Sequence, residues 1–309
     1  MSLGLCCQFM EPVVKSSGIQ YINTVGEKTL QLGRFKANSY SKDLILKVYK
    51  DNLDGLFKTL KKIKGIGFKS FRISSNLLPL YDKIDESILY DDGVSAKLND
   101  IGEYIKASNI RVSFHPDQWC VLASEKENVI ENSIVSLKHH ASLFDRMNLP
   151  VNRFFSINIH GSPKDKSSKL IEVINTLPDN VKNRLSLEND ERAYSVKKLH
   201  EIFKETGVAI CGDLHHHSFN TDGLSAKDAL SLAISTWGTI KPNTHLSNSE
   251  PEFLTKGSFT EKRKHSKYYH SIPDFLIKLN NDGSIDIDME CKMKNIAILK
   301  AVQDFGIVL

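Results

Sequence analysis

Eight short apolar or β-branched runs, each followed by polar or glycine-containing sequence and then by a stretch of helical periodicity, predict an α/β chain folded as a single-domain (β/α)8 TIM barrel. The length agrees: 309 residues fall well short of three domains, and one such barrel takes about 250. No G-x-G-x-x-G follows the first strand, so a dinucleotide fold has no support, and a doubly wound open sheet is the lesser alternative.

Taken in order, the first strand is expected over residues 3–9, followed by a long helical pattern over 44–63 with apolar residues at three- and four-residue spacings. Strands follow at 71–75 and 110–114, then a helix over 128–146. The next strands are expected at 154–159 and 185–188, a helix at 196–205, a strand at 208–213 and a helix at 226–235. The last two strands fall at 244–247 and 285–290, and a helix over 296–302 closes the order. Alternation of this kind implies parallel strands joined by crossover helices.

Composition narrows the class without naming an activity. A 40% hydrophobic and 25% charged chain can bury a core, which excludes disorder and fibres. A net charge of +4 is too mild to announce a nucleic-acid binder by itself. The five cysteines, Cys6, Cys7, Cys120, Cys211 and Cys291, form no C-x-x-C pair and suit reduced thiols in an intracellular protein. No basic region precedes the first apolar stretch and no run approaches the roughly 18 apolar residues of a membrane span, so neither secretion nor membrane insertion is expected.

The eleven histidines carry the chemistry. In a parallel barrel the loops after the strands converge on one face, where active sites assemble. Six successive strands deliver a metal-competent side chain there: His115, His160, Glu188, Asp213 followed by His216, His245 and Glu290. His139, His140 and His200 lie in helical segments and read as structural or solvated. Imidazole nitrogen with carboxylate oxygen is a donor set for manganese or zinc, whereas magnesium and calcium want oxygen almost alone. Three carboxylates can bridge neighbouring ions, and two ions about 4 Å apart suit hydrolysis of a phosphate ester.

At Phe114-His115-Pro116-Asp117-Gln118-Trp119 the chain resembles the ultraviolet damage endonucleases. The blocks Phe71-Arg72-Ile73-Ser74-Ser75-Asn76, Asn158-Ile159-His160-Gly161, Leu187-Glu188-Asn189-Asp190, Gly212-Asp213-Leu214-His215-His216, His245-Leu246-Ser247 and Met289-Glu290-Cys291-Lys292 resemble the same family in the same order. The resemblance implies an endonuclease that cuts damaged double-stranded DNA on the 5′ side of pyrimidine photoproducts, both cyclobutane dimers and 6-4 products, with three divalent ions, manganese first. It assigns His115, His160 and Glu188 to one ion, Glu188, Asp213, His245 and Glu290 to a second, and His216 with His265 to a third. It makes His115, His160, Glu188, Asp213 and Glu290 the catalytic set, and Gln118 with Trp119 the pair that enters the duplex at the lesion.

Two positions depart from that pattern. The family places a lysine, chemically modified near the metals, two residues before the histidine of the seventh strand, where this chain has Asn243; either Lys241 shifts into that role, which would also put it among the DNA-contacting residues, or the chain lacks the lysine and its modification. The first strand reads Gly4-Leu5-Cys6 where an aromatic after the glycine is expected. For phosphate contact the basic segment 256–270 stands out, with Lys256, Lys262, Arg263, Lys264 and Lys267 beside Tyr268 and Tyr269. The protein is expected to act as a monomer. The alternative function is a metal-dependent sugar isomerase or epimerase of the same barrel class, which gives Gln118-Trp119 and the basic segment no role.

Overall fold

The computed structural model describes residues 2–16, 18–23, 27–162 and 164–309. Its strands are β1 (Leu3–Cys6), β2 (Met10–Lys15), β3 (Gly18–Asn23), β4 (Ser70–Ile73), β5 (Arg111–Phe114), β6 (Ile157–His160), β7 (Leu185–Glu188), β8 (Ala209–Asp213), β9 (Asn243–Leu246) and β10 (Asp286–Met289). Eight of them close into a parallel barrel in the order β1, β10, β9, β8, β7, β6, β5, β4. All eight predicted strands are barrel strands. The sequence reading did not anticipate β2 and β3, an antiparallel ribbon inserted after β1.

Helices wrap the barrel where the sequence supplies both an apolar stripe and end signals. In the helix Lys42–Ile66, Ser41 Oγ accepts from the Leu44 N–H at 3.2 Å and Gly67 ends the helix at φ 105°, a conformation only glycine adopts freely. Ser195 and Ser225 cap the helices Val196–Thr206 and Ala226–Ser235 in the same way. Among the described residues no helix is long and apolar enough to cross a membrane.

The strands alternate strictly. Leu3, Leu5, Phe71, Ile73, Val112, Phe114, Ile157, Ile159, Leu185, Leu187, Ile287 and Met289 join the buried hydrophobic core with the helices. Their neighbours in sequence point the other way, into the barrel. There Ser70 Oγ donates to Asp288 at 2.6 Å, Asn243 Nδ2 donates to Asp288 at 3.0 Å, Ser186 Oγ donates to Asn158 at 3.0 Å, and Arg111 Nε donates to Asp286 at 2.6 Å. Barrel interiors are usually filled by branched aliphatic residues. Here the interior is a polar column, and the apolar core lies between sheet and helices.

Lys241 belongs to the base of this column. It precedes β9, and its ammonium pairs with Asp286 at 2.6 Å at the amino-terminal end of β10. The expected DNA contact from Lys241 is therefore corrected: the residue sits at the end of the barrel opposite the carboxyl-terminal loops. Asn243 is committed to Asp288.

His139 and His140 are buried in the helix Glu127–Arg146, His139 stacked on Tyr81 with ring centroids 3.8 Å apart. His140 Nδ1 lies 2.7 Å from the Ser136 carbonyl, and burial pushes its imidazole down to about 4. Below pH 6.5 the unfolded chain takes up a proton that the folded chain refuses, so this residue's share of stability is full above pH 6.5 and shrinks as pH falls toward 4. We expect His140→Leu to remove roughly 2 kcal/mol of the stability that the parent loses between pH 7 and pH 5. Urea unfolding at both pH values checks this; parallel losses in parent and variant would refute it.

Candidate metal centre and DNA-facing cleft

Every predicted ligand lies at the carboxyl-terminal end of the barrel. His115 directly follows β5, His160 and Glu188 end β6 and β7 and are paired across the ladder, Asp213 ends β8 opposite His245, and Glu290 follows β10. Asp213 also caps the turn Leu214–His217, its Oδ1 accepting the His216 N–H at 2.7 Å, which brings the His216 ring back over the mouth.

Glu188 is the hub. It is 1% exposed, with His115 Nε2 3.1 Å from its Oε2 and His245 Nδ1 3.1 Å and His216 Nε2 3.5 Å from its Oε1. Asn158 Nδ2 holds Oε2 from below. Three overlapping groups have ligand atoms within 4.8 Å of one another: His115, His160 and Glu188; Glu188, Asp213 and His216; Asp213, His245 and Glu290. Glu188 and Asp213 are each shared by two groups. His216 thus joins Glu188 and Asp213, whereas His265, 29% exposed, stands beside Glu290 and outside all three groups.

Burial alone would push the Glu188 carboxyl up, but the imidazoles of His245 and His160 and the bonds from His115 and His216 hold it well below the usual range. Glu290 is likewise held down against burial by Arg72, whose Nη1 contacts its Oε1, and by His245. Burial is outweighed at two imidazoles, which are pushed well above the ordinary range: His216 by Asp213, Glu188 and Glu191, and His245 by Cys211 first and then by Glu188 and Glu290. His160 goes down by burial.

This site is unfinished as a hydrogen-bond network. His160 Nδ1 and Asp213 Oδ2 are buried without hydrogen-bond partners, and His245 Nδ1 faces Glu188 Oε1 at 3.1 Å and Glu290 Oε1 at 3.4 Å without hydrogen-bond alignment. Buried polar atoms are nearly always satisfied, because each orphan costs about 1 to 3 kcal/mol. Converging orphans of mixed nitrogen and oxygen type fit divalent cations of the manganese or zinc kind.

The site opens into a cleft of about 510 Å³. On its rim the Asp117 carbonyl accepts the Cys120 N–H at 2.9 Å, a tight turn with Gln118 and Trp119 exposed at its tip. Trp119 is 49% exposed, its indole N–H reaching Asp117 Oδ2 at 3.3 Å. The basic segment divides. Arg263 lines the cleft, but its Nε is committed to Glu191 at 2.6 Å. Lys264 is exposed and Lys262 partly so, whereas Tyr269 is buried, its hydroxyl accepting the Cys291 N–H at 3.1 Å, and serves the fold.

Four neighbours escaped the sequence reading. Arg72 pins Glu290, Asn158 pins Glu188, Glu191 Oε1 lies 3.1 Å from His216 Nδ1, and Arg192 lines the cleft. Two of them carried a signal: Arg72 and Asn158 are polar residues between apolar ones, at inward positions of strands whose outward residues are apolar.

Comparison with known proteins agrees with the geometry. A UV DNA damage endonuclease of Nostoc sp. is 34% identical over 261 residues, covering 81% of this chain and 76% of that protein. One from Bacillus velezensis is 29% identical, covering 91% and 89%. The crystal structure of SacUVDE matches over 100% of both chains with a TM-score of 0.80 and 32% identity. The 3-keto-D-glucoside 4-epimerase of E. coli, at 14% identity, TM-score 0.54 and coverage of 80% and 91%, shares the barrel alone. The UV-endonuclease UvdE family model matches residues 2–307, and the chain belongs to that family of endonucleases acting on DNA phosphodiester bonds.

Proposed function

We propose that the protein nicks double-stranded DNA on the 5′ side of pyrimidine photoproducts, cyclobutane dimers and 6-4 products alike, in a metal-dependent reaction, with residues 1–309 acting as one domain and as a monomer. The observation that carries the reading is the set of converging histidine and carboxylate ligand atoms, within 4.8 Å of one another in each of three groups at the barrel mouth, below an exposed Gln118-Trp119 turn. Divalent ions, three in number and manganese before zinc, would be held by His115, His160, Glu188, Asp213, His216, His245 and Glu290, with His265 alongside, and would supply Lewis acidity toward the scissile phosphate.

The chain's own groups prepare that chemistry. Arg72, Asn158 and Glu191 fix the orientations of Glu290, Glu188 and His216. Lys262, Arg263 and Lys264 face the phosphate backbone. Trp119 fills the gap left when the damaged step leaves the stack, a contact worth roughly 1 to 3 kcal/mol, and Gln118 offers its amide to the unpaired bases.

Purified protein with manganese is expected to nick ultraviolet-irradiated plasmid and spare unirradiated plasmid. Equal cutting of both, no cutting with any divalent metal, or ketose formation from an aldose would overturn the reading. Trp119→Ala should narrow the preference for irradiated DNA about tenfold or more; discrimination equal to the parent's would remove the probing role.

A further inference from the structure

Phe259 is 42% exposed at the start of the helical turn Phe259–Lys262, which is held by a reciprocal cap between Ser258 and Glu261. An exposed phenyl ring on a rigid turn needs an account. Two guanidinium groups lie against it, Arg192 at 5.4 Å and Arg263 at 5.6 Å from the ring centroid, and Phe219 meets it edge-on at 5.7 Å. Both arginines line the cleft.

These two cations differ from the lysines nearby. Lys166 is paired with Glu125 and Lys198 with Asp165, so their charge is spent locally. Among the described residues the Arg192 guanidinium forms no ion pair with a carboxylate and lies over the aromatic ring. Arg263 gives its Nε to Glu191, which leaves its two Nη groups for a ligand. Guanidinium presents planar paired donors that match phosphate oxygens, and stacking on an aromatic ring holds it ready.

The position is informative. Phe259 and Arg263 follow β9 and Trp119 follows β5, four strands away in a ring of eight, so the two exposed aromatics stand on opposite sides of the mouth. We infer that Arg192 and Arg263, organised by Phe259, form a clamp for the DNA phosphate backbone across the cleft from Trp119. The clamp holds the duplex in place while the turn at Trp119 tests it, and it contacts undamaged and damaged strands alike. The inference rests on DNA as the substrate and does not depend on which lesion is cut.

Fluorescence anisotropy of the full-length enzyme with a labelled unirradiated duplex, measured over a range of salt, tests it without any cutting. Arg192→Ala should weaken binding about tenfold and lower the slope of log affinity against log salt by about 0.9, as expected for one lost phosphate contact. Phe259→Ala should weaken binding several-fold, Phe259→Tyr should restore it, and Arg192→Lys should restore the slope more than the affinity. Binding and slope equal to the parent's in both alanine variants would overturn the clamp. So would a loss confined to irradiated duplex, which would assign Phe259 to an extruded base. Nicking of irradiated plasmid is scored separately and bears only on the lesion reading.

Discussion

Glu188→Gln is expected to lower DNA incision by about 10³-fold or more while leaving the barrel folded. The amide keeps the volume of the acid in a site 1% exposed and can still meet Asn158, so packing is preserved. What disappears is the negative charge on which His115, His216 and His245 converge, and which two of the three ligand groups share. A loss of about 4 kcal/mol in transition-state stabilisation corresponds to that factor. The change also gives the hub a donor where cations would need an acceptor. Elemental analysis should show reduced manganese in the variant, with affinity for undamaged duplex close to the parent's. Incision within tenfold of the parent would remove Glu188 from the centre of the chemistry.

The second large effect lies one layer deeper. A Cβ at Gly4 would stand 2.0 Å from Asp288 Oδ1 and 2.7 Å from Ser70 Cβ. Asp288 cannot swing aside cheaply, because it is fully buried and held by Ser70 on one oxygen and Asn243 on the other, 3.8 Å below His245. Overpacking typically costs about 1 to 3 kcal/mol, and the broken bonds to a buried carboxylate add to it. We expect Gly4→Ala to destabilise the protein by about 3 kcal/mol or more, read as a lower urea midpoint, with incision falling too. A midpoint equal to the parent's would show that the Asp288 cluster is softer than its hydrogen bonds suggest.

Much of this molecule was legible beforehand because its strands announce themselves twice, by an apolar outward set and by a chemical residue at the end. Sequences such as Ile157-Asn158-Ile159-His160 and Leu185-Ser186-Leu187-Glu188 fix the strand and aim the ligand at once. The ribbon of β2 and β3 was missed because the first strand was ended at residue 9 and the apolar residues beyond it, among them Val14, Ile19 and Ile22, follow no clear period and stay exposed instead of packing on the core. Lys241 was misplaced for a different reason. Distance along the chain from His245 says nothing about which end of a short strand a residue occupies, and four residues upstream of His245 reaches the other end of the barrel. Glu191 and Arg192 lie in a loop, where no periodicity reports direction.

The polar column also bears on how the barrel finds its register. A parallel strand of four residues has few hydrogen bonds with which to reject a neighbouring alignment. A slip by one residue would turn every side chain to the opposite face. In a barrel with aliphatic residues on both faces, such a slip exchanges one hydrocarbon for another at small cost. Here it would drive Asp288, Glu188 and Arg111 into the hydrocarbon shell under the helices and set leucines against the remaining carboxylates. The buried polar groups of the column are thereby expected to act during folding as a proofreading pattern for the sheet, and substitutions that make the column apolar should yield a barrel with less certain strand alignment.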